Sequence, residues 1–450
     1  MQKKFFALIM LVAVILSPAV FINCGTTQPE DKTPIVMGYV GANSIPMIKA
    51  CADAHKIAID EVNAAGGILG RKVEQIVIDA KAQPNLCVDG VTRLLTEHHA
   101  MAVNVIPMSD LTLVSMDKAS KLFHEYPHIF FADASDEAIT RPVLTDYETY
   151  KFVFRNQIMM PSSGWLMDEV LDMSKNMIGA KKIAILWEDS SYTKGWREGV
   201  PSLGIPKMSE YATSKYGLEV VLEKSLQWRA GMYLPVLELC KMNGAEAIIY
   251  NAGPSSDIEV FTKQWAQSSA RDITPIYWWG GTMHSKAFWQ LTGGLALGSI
   301  GVYADHDIPI TNKTIPFNEK CRAQGTLIAT TTATAYEDVY FMKAAIEKVG
   351  NTRDINAIIK ELEGKTVVEG VSANKCYFTG EKIAPFFHSR EIVDPKEPMK
   401  HIPNSYCFGF VQWQKDGKVA YVAPKSDLPQ WASYSNYKKP ADLRAEAGVK

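Results

Sequence analysis

The sequence predicts an α/β protein of two Rossmann-like lobes, and three observations predict it. Short runs rich in β-branched residues alternate with segments whose apolar residues recur at helical spacing. The helical segments have the length of crossovers between parallel strands, about 10–15 residues. The rhythm also occurs twice, with a break near residues 151–163, in a chain of 450 residues that is too long for one ordinary core.

The first lobe opens with a strand over residues 34–40 and a helix over 48–63 that Gly66 and Gly67 stop. A strand over 72–78, a helix over 86–97 and strands over 101–106 and 129–132 follow. The second lobe reads as a strand over 182–187, a largely helical stretch over 195–216 and a strand over 218–222. It continues with a helix over 232–241, a strand over 247–250, a helix over 258–267 and a strand over 275–279. Residues 385–404, rich in Pro and charge, read as an exposed loop. Apolar residues alternate over 406–414 and recur over 419–422, either side of Asp416 and Gly417, which is a tight-hairpin signal. Residues 423–450 have too weak a periodicity to assign an element. Parallel sheets of this kind bind ligands at the carboxyl ends of their strands, which for two lobes means a cleft at a hinge.

The N-terminus reads as a targeting segment. Lys3 and Lys4 precede an apolar run over residues 5–16, which Ser17 and Pro18 break before Cys24. That is the layout of a secretory signal over residues 1–23. The alternative is an uncleaved anchor, for which the interrupted run over 5–22 is only just long enough. Cys24, followed by Gly25, Thr26 and Thr27, resembles a bacterial lipoprotein processing site with a tether over 24–33. Asn23 departs from the small residue usual before such a cysteine. The expected location is the periplasm or the outer face of the cell membrane, with a lipid as the only membrane attachment.

Charge and motifs exclude several classes. With 47 basic and 49 acidic residues and no basic stripe, nothing points to nucleic acid. No G-x-S-x-G elbow, H-E-x-x-H pair, Walker loop or C-x-x-C is present, so no enzyme, cofactor or metal is expected. His98 and His99 sit at adjacent helical positions and do not face one another.

Four segments carry a resemblance. The string AIDEVNAAGGILGRK over 58–72 is similar to the first helix-to-strand turn of the branched-chain amino-acid binding proteins. These are the type I periplasmic solute-binding proteins of ABC importers. Residues 181–185, followed by DSSYTKG over 189–195, resemble the opening strand and helix start of that family's second lobe. ATAYED over 333–338 resembles the long helix that returns to lobe I, and FGFVQW over 408–413 resembles the last strand. The resemblance covers residues 34–422 and implies three crossings between lobes. Lobe I would be residues 34–156 and 304–371; lobe II would be 157–303 and 372–450.

The resemblance implies capture of a small polar or aromatic organic molecule, an amino acid or a related compound, by closure of two lobes. The partners would be ABC permease subunits, with the protein acting as a monomer; the alternative partner is a signalling receptor. On the lobe I side, the matching loops are 107–110 and 133–136, with Ser109, Asp110, Ala134 and Ser135 as ligand residues. Free N–H groups at a helix start there would grip a carboxylate. The competing reading makes the two serines helix caps. Tyr192, Gly253 and Trp279 would close from lobe II, with Tyr39 and Asn43 after the first strand as further cleft residues. At most one of Trp278 and Trp279 is expected in the cleft, because alternate strand residues face opposite ways.

One feature of the family is missing. Its amino-acid binders hold the ammonium with lobe II carboxylates, whose matching positions lie near Met159 and Gly280, neither acidic. Asp110, Asp136 and Asp189 are candidates to replace them; otherwise the ligand is less charged or aromatic. Of seven cysteines, Cys24 is assigned to the lipid. Cys51 is expected to pair with Cys87 and Cys376 with Cys407, leaving Cys240 and Cys321.

Overall fold

The computed structural model describes residues 32–157, 164–253, 255–402, 409–423 and 432–449. Residues 1–31, which hold the signal and most of the tether, lie outside the described residues, as do Met159 and Cys407. Lobe I is built on five parallel strands: β1 (Ile35–Gly41), β2 (Val73–Asp79), β3 (Ala102–Val105), β4 (Ile129–Ala132) and β5 (Val153–Phe154). Their order across the sheet is β2-β1-β3-β4-β5. Lobe II holds β6 (Lys182–Glu188), β7 (Glu219–Leu226), β8 (Ala247–Asn251), β9 (Thr274–Tyr277), β10 (Ile300–Tyr303), β11 (Gly409–Trp413) and β12 (Val419–Ala423). Here the order is β12-β11-β10-β9-β8-β6-β7, parallel from β7 through β10, with β11 and β12 antiparallel at one edge.

The local chemistry explains the elements. The helix Pro46–Ala64 ends where Gly66 and Gly67 adopt φ of 102° and 81°. A Cβ on Gly67 would lie 1.9 Å from the Arg71 carbonyl oxygen, so only glycine fits this reversal. Ile68 then packs back fully buried and the chain enters β2. The β11–β12 turn has Asp416 and Gly417 at φ of 61° and 73° and is closed by Gln414 N–H to the Lys418 carbonyl at 2.8 Å, the left-handed pair that a tight hairpin requires.

The structure departs from expectation at identifiable places. The strands β5 and β10, two and four residues long, have no counterpart in the sequence expectations. The stretch read as largely helical over 195–216 is two helices, Lys194–Glu198 and Met208–Tyr216. Gly199 at φ 77°, Pro201 and Gly204 at φ 68° separate them. The segment 385–404 is not an exposed loop throughout. Phe386, Phe387, His388, Ser389, Arg390, Ile392 and Val393 are all buried. Lobe I also does not end at residue 371, because Ala373, Cys376, Phe378 and Phe387 belong to its core, whereas Phe386, Ile392 and Val393 join that of lobe II. The third crossing therefore falls near residues 386–392. The C-terminal stretch supplies the helix Pro440–Ala447 against lobe II, where Tyr437 and Thr274 share a hydroxyl contact at 2.7 Å.

The expected disulfides are corrected as well. Cys51 and Cys87 are both free and buried, as are Cys240 and Cys321, which sit in different lobes. The Cys51 thiol donates to the Met47 carbonyl, one helical turn back, at 3.3 Å, and burial pushes its pKa up to about 12. Cys376 is a free thiol that accepts an N–H from Arg390 at 2.7 Å.

Arg390 also forms an ion pair with Glu337 on the helix Thr330–Val349, both side chains at most 1% exposed. Removing one member of a buried pair strands the other charge. Arg390→Ala is expected to cost about 3–5 kcal/mol, and Arg390→Met with Glu337→Gln much less than the single change. Urea unfolding monitored by circular dichroism checks this double-mutant cycle.

Candidate ligand cleft between the lobes

The carboxyl ends of both sheets meet across the lobe boundary. Between them lies a cavity of about 300 Å³, lined from lobe I by Asp136, Glu137 and Arg141 and from lobe II by Ser191, Lys194 and Glu198. That volume suits a small solute. The lobes also touch directly: Ser190 Oγ lies 3.4 Å from the Asp110 carboxylate.

On lobe I, Ser109 and Ser135 are not caps. The residue before the helix Ser109–Leu122 is Met108, which makes no side-chain cap, and Asp136 caps the next turn by accepting the Ala138 N–H at 2.8 Å. Ser109 Oγ instead accepts the Asp136 N–H at 3.1 Å, tying the two expected ligand loops together. Ala134 and Ser135 are buried beside it. A buried guanidinium fixes this loop from beneath: Arg155 donates to the carbonyls of Ser135 and Asp136 at 3.4 and 2.8 Å. Its other N–H groups reach Ser389 Oγ at 3.0 and 2.9 Å and the Pro385 carbonyl at 3.2 Å. Burial lowers its pKa to about 10, still far above neutrality.

None of the nine expected ligand residues is among those lining that cavity, although Ser109, Ser135 and Tyr192 adjoin residues that are. Tyr39 is fully buried in lobe I, packed with Cys51, Ala52 and Ala335. Asn43 is exposed, with its N–H on Asp79 at the end of β2. Behind the ligand loops lies a polar layer. Asp338 accepts from Asn104 at 2.5 Å and Asn156 at 2.9 Å, with Asp133 beside it. Burial, then the neighbouring carboxylate, raises the pKa of Asp338; Asp133 is raised in the same direction, again chiefly by burial.

On lobe II, the Tyr192 hydroxyl lies 3.4 Å from both Asn251 Oδ1 and the Asn251 carbonyl. Trp278 packs in the core, 4.5 Å from Trp196 between ring centres. Trp279 is also buried, and its carbonyl accepts Nε2–H of His284 at 3.2 Å. His284 Nδ1 then accepts the Thr330 N–H at 3.3 Å, so this lobe II imidazole caps the first turn of the long lobe I helix. Burial lowers the His284 pKa to about 4, which keeps the ring in the neutral form both contacts require.

Sequence reasoning missed Glu188. It closes the apolar strand β6, is 4% exposed, and accepts the Gly253 N–H at 3.1 Å. A Cβ at position 253 would come within 2.8 Å of Glu188 Oε1, so the glycine leaves room for the carboxylate. Burial raises its pKa to about 7; the Gly253 N–H opposes this, and the charges of Asp257 and Asp110 add to it. A charged residue ending a buried strand was the available signal. Among the described residues no group of three or more His, Cys, Asp and Glu is placed to hold a metal, and no helix is long and apolar enough to cross a membrane.

Comparison with known proteins agrees with this architecture. The family described as "Periplasmic binding protein" matches residues 37–387. The chain belongs to the periplasmic binding protein family. No curated protein matches it by sequence. Among solved structures, the branched-chain amino-acid substrate-binding protein LivJ of Streptococcus pneumoniae, in complex with isoleucine, is 17% identical with a TM-score of 0.65. That match covers 86% of this chain and 98% of LivJ. A solute-binding protein of an ABC transporter from R. palustris, in complex with 4-hydroxybenzoate, is 16% identical with a TM-score of 0.67, covering 89% of this chain and 99% of that one. The leucine-binding protein LivK of Thermotoga maritima is 15% identical with a TM-score of 0.61, over 88% of this chain and all of its own. These likenesses establish the two-lobe type I fold; the cleft side chains are this chain's own.

The Asp133–Asp338 pair has a measurable consequence. Both pKa values are raised, so the folded chain keeps a proton that the unfolded chain releases above about pH 4. Stability therefore falls as pH rises from there toward the titration of the pair. Asp133→Asn removes one of the two raised carboxyls and is expected to flatten the pH dependence of the melting temperature between about pH 5 and 8, measured by calorimetry.

Proposed function

We propose that this chain is the extracytoplasmic solute-binding subunit of an ABC importer, loaded by closure of its two lobes and not by turnover of the solute. The observation that carries the reading is the cavity between the lobes, walled by loops from the carboxyl ends of both sheets. Family membership supports it. The reading includes export by removal of residues 1–23, a lipid on Cys24 as the only membrane attachment, and action as a monomer.

The solute class follows from the wall chemistry and from the relatives. One relative holds isoleucine and another 4-hydroxybenzoate, so the fold accommodates both an amino acid and an aromatic acid. A small polar or aromatic organic molecule suits this cleft, whose cavity is walled by Asp136, Glu137 and Arg141 on one side and Ser191, Lys194 and Glu198 on the other. Closure expels water and strengthens each polar contact inside.

A thermal-shift screen of amino acids, aromatic acids, amides and amines tests this. A solute at 100 times its Kd is expected to stabilise the protein by about 2.7 kcal/mol. Ser109→Ala with Ser135→Ala is expected to weaken the hit at least about tenfold, one lost hydrogen bond to a charged group being worth roughly 1.5–3 kcal/mol. Unchanged binding would move the primary site away from these loops. For the anchor, Cys24→Ser is expected to shift the protein from the membrane fraction to the soluble one.

A further inference from the structure

The chain crosses from lobe II to lobe I a second time between β10 and the helix Thr314–Gln324. Ile300 and Val302 of β10 belong to the core of lobe II, whereas Phe317 and Cys321 of that helix belong to the core of lobe I. Beside the crossing lies a cavity of about 10 Å³, walled by Phe317, Ile328 and Val371 and by the polar side chains of His306 and Asn318. A space of that size holds one water molecule and nothing larger. Wholly apolar cavities stay dry, so the polar part of the wall decides the content.

Two polar atoms of that wall have no hydrogen-bond partner among the described residues, His306 Nε2 and Asn318 Oδ1. Both side chains are at most 3% exposed. Asn318 Nδ2 donates to the His306 carbonyl at 2.9 Å, which fixes the amide and leaves Oδ1 as the unmet acceptor. His306 Nδ1 lies 2.8 Å from the Tyr421 hydroxyl on β12 of lobe II. Burial lowers the His306 pKa to about 4, against the opposing charge of Asp307, so the ring is neutral and carries one N–H. The wall hydroxyls are already engaged. Thr314 donates to the Val371 carbonyl at 2.6 Å, Ser372 reaches Glu337 at 3.5 Å, and Thr330 Oγ1 lies 3.5 Å from His284 Nδ1. Buried polar atoms of this kind are satisfied by protein or by ordered water, and no further protein group reaches these two.

We propose that this cavity is a binding site for a single ordered water, which donates to Asn318 Oδ1 and bonds to His306 Nε2, and that this water makes the second crossing a water-bridged pivot. His306 is then held from both lobes, by the Tyr421 hydroxyl of β12 and, through the water, by the lobe I helix. The Tyr421 hydroxyl can donate or accept, so Nδ1 can be met in either tautomer, and Nε2 is correspondingly an acceptor or a donor. A water completes either arrangement, whereas a fixed protein group would suit only one. The crossing can therefore adjust as β12 shifts with lobe II, with no polar atom left unpaired.

High-resolution crystallography of the full chain tests this, together with oxygen-17 relaxation dispersion, which counts long-lived internal waters in solution. One water is expected within about 3.2 Å of both His306 Nε2 and Asn318 Oδ1. His306→Phe is expected to lose it and to lower the solution count by one. Tyr421→Phe, which removes only the hydroxyl on the other ring nitrogen, is expected to keep it. The amides of residues 304–306 are expected to exchange with solvent about threefold to tenfold faster in His306→Phe than in Tyr421→Phe. A structure that shows other buried waters but none bonded to both atoms overturns the proposal, as does an equal count in the wild type and His306→Phe. Equal exchange in the two variants overturns the pivot. Should His306→Phe fail to fold, the wild-type crystal structure decides alone.

Discussion

The interior of lobe I is organised by the Arg155 guanidinium. Its N–H groups make five hydrogen bonds, to the carbonyls of Ser135, Asp136 and Pro385 and twice to Ser389 Oγ. A buried guanidinium is costly to desolvate, and full use of its donors is what makes it tolerable. The same group holds three things in register: the end of β5, the loop that opens toward the cleft, and the segment that carries the chain back to lobe II. The cleft wall and the hinge are thus one hydrogen-bonded unit.

The long helix Thr330–Val349 extends that unit. Glu337 pairs with Arg390 of the crossing segment, and Asp338 receives Asn104 and Asn156 from the ends of β3 and β5. At its first turn the helix is met by His284 of lobe II. The amino end of the helix thus touches the opposite lobe while its middle anchors the crossing segment. The acid pair Asp133–Asp338, directly behind the ligand loop, keeps this layer proton-bound in place of an added charge.

Both walls of the cavity carry charges of both signs, Glu137 and Arg141 from lobe I and Lys194 and Glu198 from lobe II. Polar groups from each lobe are thus available to one solute, and closure brings the two sets together. The isoleucine and 4-hydroxybenzoate held by two relatives show how far ligand chemistry varies on this fold, which is why the side chains, and not the architecture, decide the solute.

Periodicity and turn chemistry alone determined much of this protein. Ten of the twelve strands among the described residues, the stop at Gly66 and Gly67 and the Asp416–Gly417 hairpin follow from local preferences that tertiary contacts do not override. Of the loops read as cleft walls, the segments after β4 and β6 line the cavity, because parallel strands put their carboxyl ends together. Tertiary structure decided what depends on distant partners. The segment 385–404 looks exposed by composition, yet Arg390 finds Glu337 across 53 positions and the surrounding residues bury. Paired cysteines could not be distinguished from buried thiols by spacing, since the geometry of two side chains is not a property of either segment. Tyr39 faces the interior because its strand lies under the long helix. Glu188 acquires its meaning only when Gly253, 65 residues away, closes on it and Asp110 arrives from the other lobe, because a carboxylate's role is set by the charges and donors around it.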